Sequence, residues 1–224
     1  MSRRRLSITP DLLLRAYRAG LFPMAPSRAS PDLEWLDPPD RGILPLDGFH
    51  VPARLARTIR QGGFTVRADG DFPAVIAACA APGPGRDGTW ISDEIERVFN
   101  ALARLGHAHS IEVLAQGRLV GGLYGVAIGG AFFGESMFSQ VTDASKVALV
   151  HLVARLRLGG FTLLDTQFVT AHLARFGGIT ISRQAYHAAL DIALAAPANW
   201  VEEPPAERLA AEIARLRAPA LTPP

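Results

Sequence analysis

Three apolar runs follow one another in the middle of the chain, separated only by short breaks that contain glycine. The runs are His109 to Leu114, Arg118 to Ile128 and Ala131 to Phe138, and the breaks fall at Gln116-Gly117 and Gly129-Gly130. Glycine supplies the positive φ angles of two-residue hairpin turns, so the pattern predicts an antiparallel meander. A meander needs a core on at least one face. With 224 residues, 49% of them hydrophobic, the chain can build the core of one large domain or two small ones. That composition excludes general disorder.

The segments around the meander are helical and extended in alternation. Thr9-Pro10-Asp11 is an N-cap, a proline at the first helical position and a first-turn acid, which predicts a short amphipathic helix that stops at Gly20. Six prolines between Pro23 and Pro45 prevent a long helix from Leu21 to Gly48, while Phe22, Met24, Trp35, Leu36 and Ile43 are too apolar for a free linker. An ordered, irregular, docked segment is expected there. A helix from about Pro52 to Gln61 ends at Gly62-Gly63, and Phe64 to Val66 opens the main body as a strand. Asp71 and Ser92 cap two further helices. A helix from Ser145 to Leu158, a strand from Phe161 to Phe168, a short helix, a strand Ile179 to Ser182 and a helix from Arg183 complete the body. The tail, with a helix near Ala206 to Arg217, reads as peripheral. The fold class is α+β with a mainly antiparallel central sheet, and the expected divisions are residues 1–62, 63–196 and 197–224.

Charge and motifs narrow the chemistry mostly by exclusion. No stretch holds the 18 or more consecutive apolar residues of a membrane span. Asp11, Arg15 and Arg18 interrupt the segment after Arg3-Arg4-Arg5, so no secretory signal is read and a cytoplasmic protein is expected. The single cysteine, Cys79, can form neither an intramolecular disulfide nor a multi-cysteine zinc site. The glycines between 117 and 134 lack the dinucleotide-binding spacing, and Lys146, the only lysine, stands outside any phosphate-binding loop pattern. His107 and His109 have no acid or cysteine at a zinc spacing, so no metal is expected. There is no Gly-x-Ser-x-Gly elbow. Residues 1–70 carry eleven arginines against seven acids, whereas the remainder is slightly acidic.

What remains is polar residues inside apolar strands. Asp165 and Gln167 are two apart and so share a strand face, close enough for a hydrogen bond; a carboxylate that orients an amide is one reading. Glu135 and Met137 share a face in the same way. The plain alternative is that these side chains point to solvent from a half-exposed sheet. Glycine-rich flanks, which let a ligand approach the backbone, weigh against it.

Seven stretches, in order, resemble the leucyl/phenylalanyl-tRNA-protein transferases: Tyr17-Arg-Ala-Gly-Leu-Phe-Pro-Met24, Gly88-Thr-Trp-Ile91, Leu105-Gly-His-Ala-His-Ser-Ile-Glu-Val113, Val120-Gly-Gly-Leu-Tyr-Gly-Val126, Gly134-Glu-Ser-Met-Phe-Ser139, Ala144-Ser-Lys146 and Leu164-Asp-Thr-Gln167. The resemblance spans about residues 9–187. It implies a small basic N-terminal domain followed by a domain like the GCN5-related N-acetyltransferases. It also implies transfer of Leu or Phe from aminoacyl-tRNA to proteins that begin with Arg or Lys; an apolar pocket discriminates weakly, so Met at a lower rate is expected too, the activated ester needs no cofactor, and a monomer is expected. By the same resemblance Gln167 sits beside the attacking amine, Asp165 polarises or orients Gln167, and Glu135 holds an α-ammonium group. Trp35, Trp90, Leu123 and Met137 are expected around an apolar aminoacyl pocket. The chain departs from the family pattern by a shorter stretch before the Thr9 helix, by Leu123 where a Met is expected, and by a tail after Ala195 without a recognised counterpart.

If the partner is tRNA, its phosphates need cations, and Arg54, Arg57 and Arg60 fall three apart on one helix. Rival readings are an acetyl-CoA-dependent N-acetyltransferase, a peptide-bridge aminoacyltransferase and an RNA-binding module without chemistry. The first should carry a glycine-rich pyrophosphate loop, yet Ser139 to Ala144 contains no glycine.

Overall fold

In the computed structural model the described residues are 8–30, 32–83 and 88–216; Arg3, Arg4 and Arg5, and the tail from Arg217 onward, lie outside them. Helix α1 (Pro10–Arg18) starts where the Thr9 hydroxyl accepts the Leu12 N–H at 3.2 Å. The proline-rich stretch after it is not irregular throughout. It forms β1 (Phe22–Met24), β2 (Glu34–Leu36) and β3 (Asp40–Ile43); β2 and β3 fit between the prolines, and Pro23 is tolerated within β1 because that strand pairs on one side only. Then come α2 (Ala53–Gln61), β4 (Thr65–Ala68), α3 (Phe72–Ala80) and α4 (Asp93–Arg104). The side chains of Asp71 and Ser92 cap α3 and α4 as their sequence positions predict.

The meander is β5 (Ala108–Ala115), β6 (Arg118–Ile128) and β7 (Ala131–Ser139). Gln116 and Gly117 both take positive φ, 51° and 76°, which gives the first hairpin its twist. Next are α5 (Ala144–Leu158), β8 (Leu163–Gln167), α6 (Ala171–Ala174), β9 (Ile179–Ser182), α7 (Arg183–Ala195) and α8 (Ala206–Arg215).

One seven-stranded sheet runs β4-β5-β6-β7-β8-β3-β9, and β1 and β2 form a separate pair. The large sheet is mainly antiparallel but mixed, since α5 is the crossover that lets β8 run parallel to β7. Successive residues point to opposite faces, so Phe132 enters one core with α2, α5 and α8, and Phe133 enters the other with α1, α3, α4 and α7. Residues before 62 also pack into the main body. Strand β3 lies between β8 and β9, and Leu44, Leu55 and Ala56 share a core with α5.

Helix α8 also docks firmly. Ile213 and Leu216 are buried, and Glu212 pairs with Arg157 of α5 at 2.6 Å. Ahead of it Trp200 stacks on His109 and Phe132, with ring centroids 4.4 and 5.7 Å away, and donates to Asp69 at 2.7 Å.

The glycines of β6 serve protein packing, not ligand approach. A Cβ on Gly121 would stand 2.5 Å from that of Ala144, and one on Gly125 would stand 2.3 Å from the Phe133 carbonyl oxygen. They let α5 and β7 come close.

Candidate active site

Strands β7 and β8 pair only from Ala131 opposite Leu163 to Phe133 opposite Asp165. Beyond that point they are no longer bonded, and a cavity of about 810 Å³ opens between Gly134–Ser139 on one side and Thr166–Phe168 on the other. Its walls are largely apolar, with Leu149 and Leu152 of α5 and Leu164 of β8 among them. Glu135 and Gln167 come one from each of the parted strands, and both line the cavity. At Glu135 the β6–β7 register shifts: Tyr124 pairs with Ser136 and Gly125 with Gly134, which leaves Glu135 as the extra residue of a bulge. The bulge turns consecutive residues of β7 toward the cavity.

Glu135 accepts a hydrogen bond from the Tyr17 hydroxyl at 2.7 Å. Part of its side chain faces the cavity, but protein surrounds the carboxyl. Burial, seconded by the charge of Asp165, pushes its pKa up to about 8 against the opposing pull of Tyr17 and Arg41. Burial and the neighbouring Glu135 likewise hold the Tyr17 phenol well above its ordinary value.

Asp165 is completely buried and lies beneath the cavity wall. Arg41 of β3, also completely buried, binds it through two nitrogens, Nη2 to Oδ2 at 2.7 Å and Nε to Oδ1 at 3.0 Å. The Tyr186 hydroxyl of α7 donates to Oδ2 at 2.7 Å. The guanidinium carbon of Arg41 lies 4.5 Å from the Phe22 ring centroid and 4.3 Å from that of Tyr186. Its Nη1 donates to the Gly20 carbonyl at 2.9 Å, which ties the end of α1 to the same cluster. The hydrogen bond expected between the side chains of Asp165 and Gln167 is not formed; instead Oδ1 of Asp165 accepts the Gln167 backbone N–H at 2.8 Å. Gln167 itself takes φ +56°, and its side-chain Nε2 is buried without a hydrogen-bond partner among the described residues.

Of the expected pocket residues, Trp90, Leu123 and Met137 line the cavity. Trp35 does not. It pairs with Pro23 in the β1–β2 ribbon, one strand back, and the cavity wall there comes from Phe22, Pro23 and Met24. Arg54, Arg57 and Arg60 are exposed on α2 and make no ion pair among the described residues. Sequence reasoning gave no role to Arg41, Tyr186 or Tyr17. Their partners are 124, 21 and 118 residues away. The one available signal was indirect, since a carboxylate placed in an apolar strand must find a cation or hydrogen-bond donors.

A model of the leucyl/phenylalanyl-tRNA protein transferases matches residues 43–191, and a model of that family's N-terminal domain matches residues 7–39. A leucyl/phenylalanyl-tRNA–protein transferase of Nitrobacter winogradskyi is 58% identical over 202 residues, covering 89% of this chain and 90% of its own. The corresponding protein of Gluconobacter oxydans is 56% identical over 213 residues, covering 95% of each chain. That of Paramagnetospirillum magneticum is 60% identical over 195 residues, covering 87% of this chain and 93% of its own. Among solved structures, L-PGS from Bacillus licheniformis matches with a TM-score of 0.39 and 14% identity over 74% of this chain and 55% of that one, a likeness too remote to bear on function. The two family models in chain order, together with these identities over most of its length, establish that the chain belongs to the leucyl/phenylalanyl-tRNA protein transferase family.

Proposed function

We propose that the chain transfers leucine or phenylalanine from aminoacyl-tRNA to the α-amino group of proteins that begin with Arg or Lys, marking them for the bacterial N-degron pathway. The observation that carries this reading is the apolar cavity between the parted strands, with one acid and one unpartnered amide at its wall. An apolar pocket suits an aliphatic or aromatic side chain, and the flexible Met137 adapts to both. A second cavity of about 730 Å³ shares Met24, Trp90 and Ser136 with the first, and two adjoining cavities suit a two-substrate reaction.

The aminoacyl ester is already activated, so orientation and charge stabilisation are what the protein must add. The acceptor nitrogen attacks the ester carbonyl carbon, the carbon–oxygen bond to the tRNA breaks, and the departing oxygen takes a proton. Gln167 positions the amine; an amide is too weak a base to hold the proton, which passes by way of the vicinal ribose hydroxyl. Glu135, once ionised, holds the α-ammonium of the aminoacyl group. Exposed arginines of α2 hold tRNA phosphates, which gives residues 1–62 a docking role beside the catalytic residues 63–196. The mixed sheet with helices on both faces supports a GCN5-related reading of the main body. The protein works as a monomer in the cytoplasm, where charged tRNA is found.

Purified protein incubated with leucyl-tRNA, acetyl-CoA and an Arg-initiated peptide tests the reading directly. Mass spectrometry is expected to show the peptide heavier by one leucine residue. An added acetyl group, or no added mass, overturns it.

A further inference from the structure

We propose that Arg41, Asp165 and Tyr186 form a positioning unit that sets the main chain of Gln167, so that Asp165 works through the Gln167 backbone N–H and not by polarising its side-chain amide. The inference rests on the proposed role of Gln167 as the residue that positions the amine. A non-glycine residue at φ +56° lies in a sparsely populated region and persists only when its surroundings impose it. Here the surroundings are specific. Oδ1 of Asp165 accepts the Gln167 N–H, and the carboxylate cannot swing away because Arg41 grips both of its oxygens and Tyr186 donates to one of them. Arg41 is fixed in turn by the Gly20 carbonyl and by the rings of Phe22 and Tyr186.

Every acceptor site of the Asp165 carboxylate described is thereby engaged by Arg41, by Tyr186 or by a backbone N–H, and none by the Gln167 side chain. The amide nitrogen of Gln167 is left buried with no protein partner among the described residues, a cost that a polar substrate group would offset. The arrangement also gives the N-terminal segment a part in the chemistry. Arg41 and Phe22 come from that segment, Asp165 and Gln167 from β8, and Tyr186 from α7.

Two double variants separate the possibilities without leaving a buried charge unpaired. Asp165→Asn with Arg41→Gln removes both charges yet keeps an oxygen for the Gln167 N–H. Asp165→Leu with Arg41→Gln removes that oxygen as well. Single-turnover transfer at saturating leucyl-tRNA is expected to drop by up to about tenfold in the first. In the second it falls by about 10²-fold, the scale of an ångström-sized misplacement, with tRNA affinity unchanged in both. A readout independent of activity is the backbone amide resonance of Gln167 in protein labelled with ¹⁵N-glutamine, identified by its loss in Gln167→Ala. It should shift slightly in the first variant, where the oxygen remains with a looser hold, and several-fold further in the second. Equal losses in both variants, or a resonance that moves equally in both, overturns the proposal in favour of a charge effect on the amide. No loss in either overturns it too. If the wild type itself transfers no leucine, the functional reading fails, and the resonance still decides whether the unit sets the backbone of Gln167. Should a double variant not fold, Tyr186→Phe, which keeps the ring over Arg41, must still shift that resonance and lower the rate; a silent Tyr186→Phe overturns the proposal.

Discussion

Gln167 brings together a buried unpartnered amide, a left-handed backbone and a place on the cavity wall. On the proposed role, replacing it with alanine removes the group that positions the amine and leaves the proposed tRNA contacts alone. Single-turnover transfer is therefore expected to fall by about 10²-fold or more while tRNA affinity stays within about twofold. Rapid-quench transfer and filter binding measure the two quantities. Glu135 is a second residue with a testable charge state. With its pKa at about 8 it is mostly protonated in the free protein at neutral pH, and an incoming ammonium favours the ionised form. The Michaelis constant for charged tRNA should rise as pH drops from 8 to 6, and Glu135→Gln should abolish that limb. The same carboxyl affects stability. It keeps its proton up to about 8 when folded but only to its ordinary 4.5 when unfolded, so the folded state binds the extra proton between those values. Stability therefore declines as pH rises through that window, and thermal melts of Glu135→Gln should show a shallower decline.

Helices were legible in the chain because their signals are local. Thr9, Asp71 and Ser92 each bond an N–H three residues on, so a cap is visible within one turn of sequence. The meander was legible for a similar reason, as its hairpins close within two residues. Strands β1 to β3 were not, because Pro23 and the prolines around them read as breakers, and the strands that flank β3 lie far along the chain. Helix α2 offers an element-level test of the proposed tRNA contact. Leu55 and Ala56 bury one face of it, and Arg54, Arg57 and Arg60 project from the other. If each neutralises one phosphate, changing all three to alanine should reduce the slope of log affinity against log salt by about three. Titrations from low to moderate salt measure it, and an unchanged slope would move the docking surface elsewhere.

Across the molecule, the stretch from Ala196 to Leu216 is a working part of the packing. Trp200 fills a slot between His109 and Phe132 and its indole N–H is bonded to Asp69. Trp200→Ala should cost about 3–5 kcal/mol, read from urea denaturation, since it opens a cavity and leaves Asp69 short of a donor. Nothing near Trp200 in the sequence announces this, because its neighbours Asn199 and Val201 are an ordinary coil. The active site divides along the same line. Asp165, Gln167 and Glu135 could be picked out as polar residues at strand spacing, and the apolar periodicities told which segments must share a core, because both follow from covalent neighbours and repeat geometry. The cation under Asp165, the phenol on Glu135 and the left-handed turn at Gln167 could not, because each depends on where segments far apart in the chain meet. A buried charge requires a partner but does not name one; the choice of Arg41 follows from β3 lying against β8, a pairing that exists only once the sheet has closed.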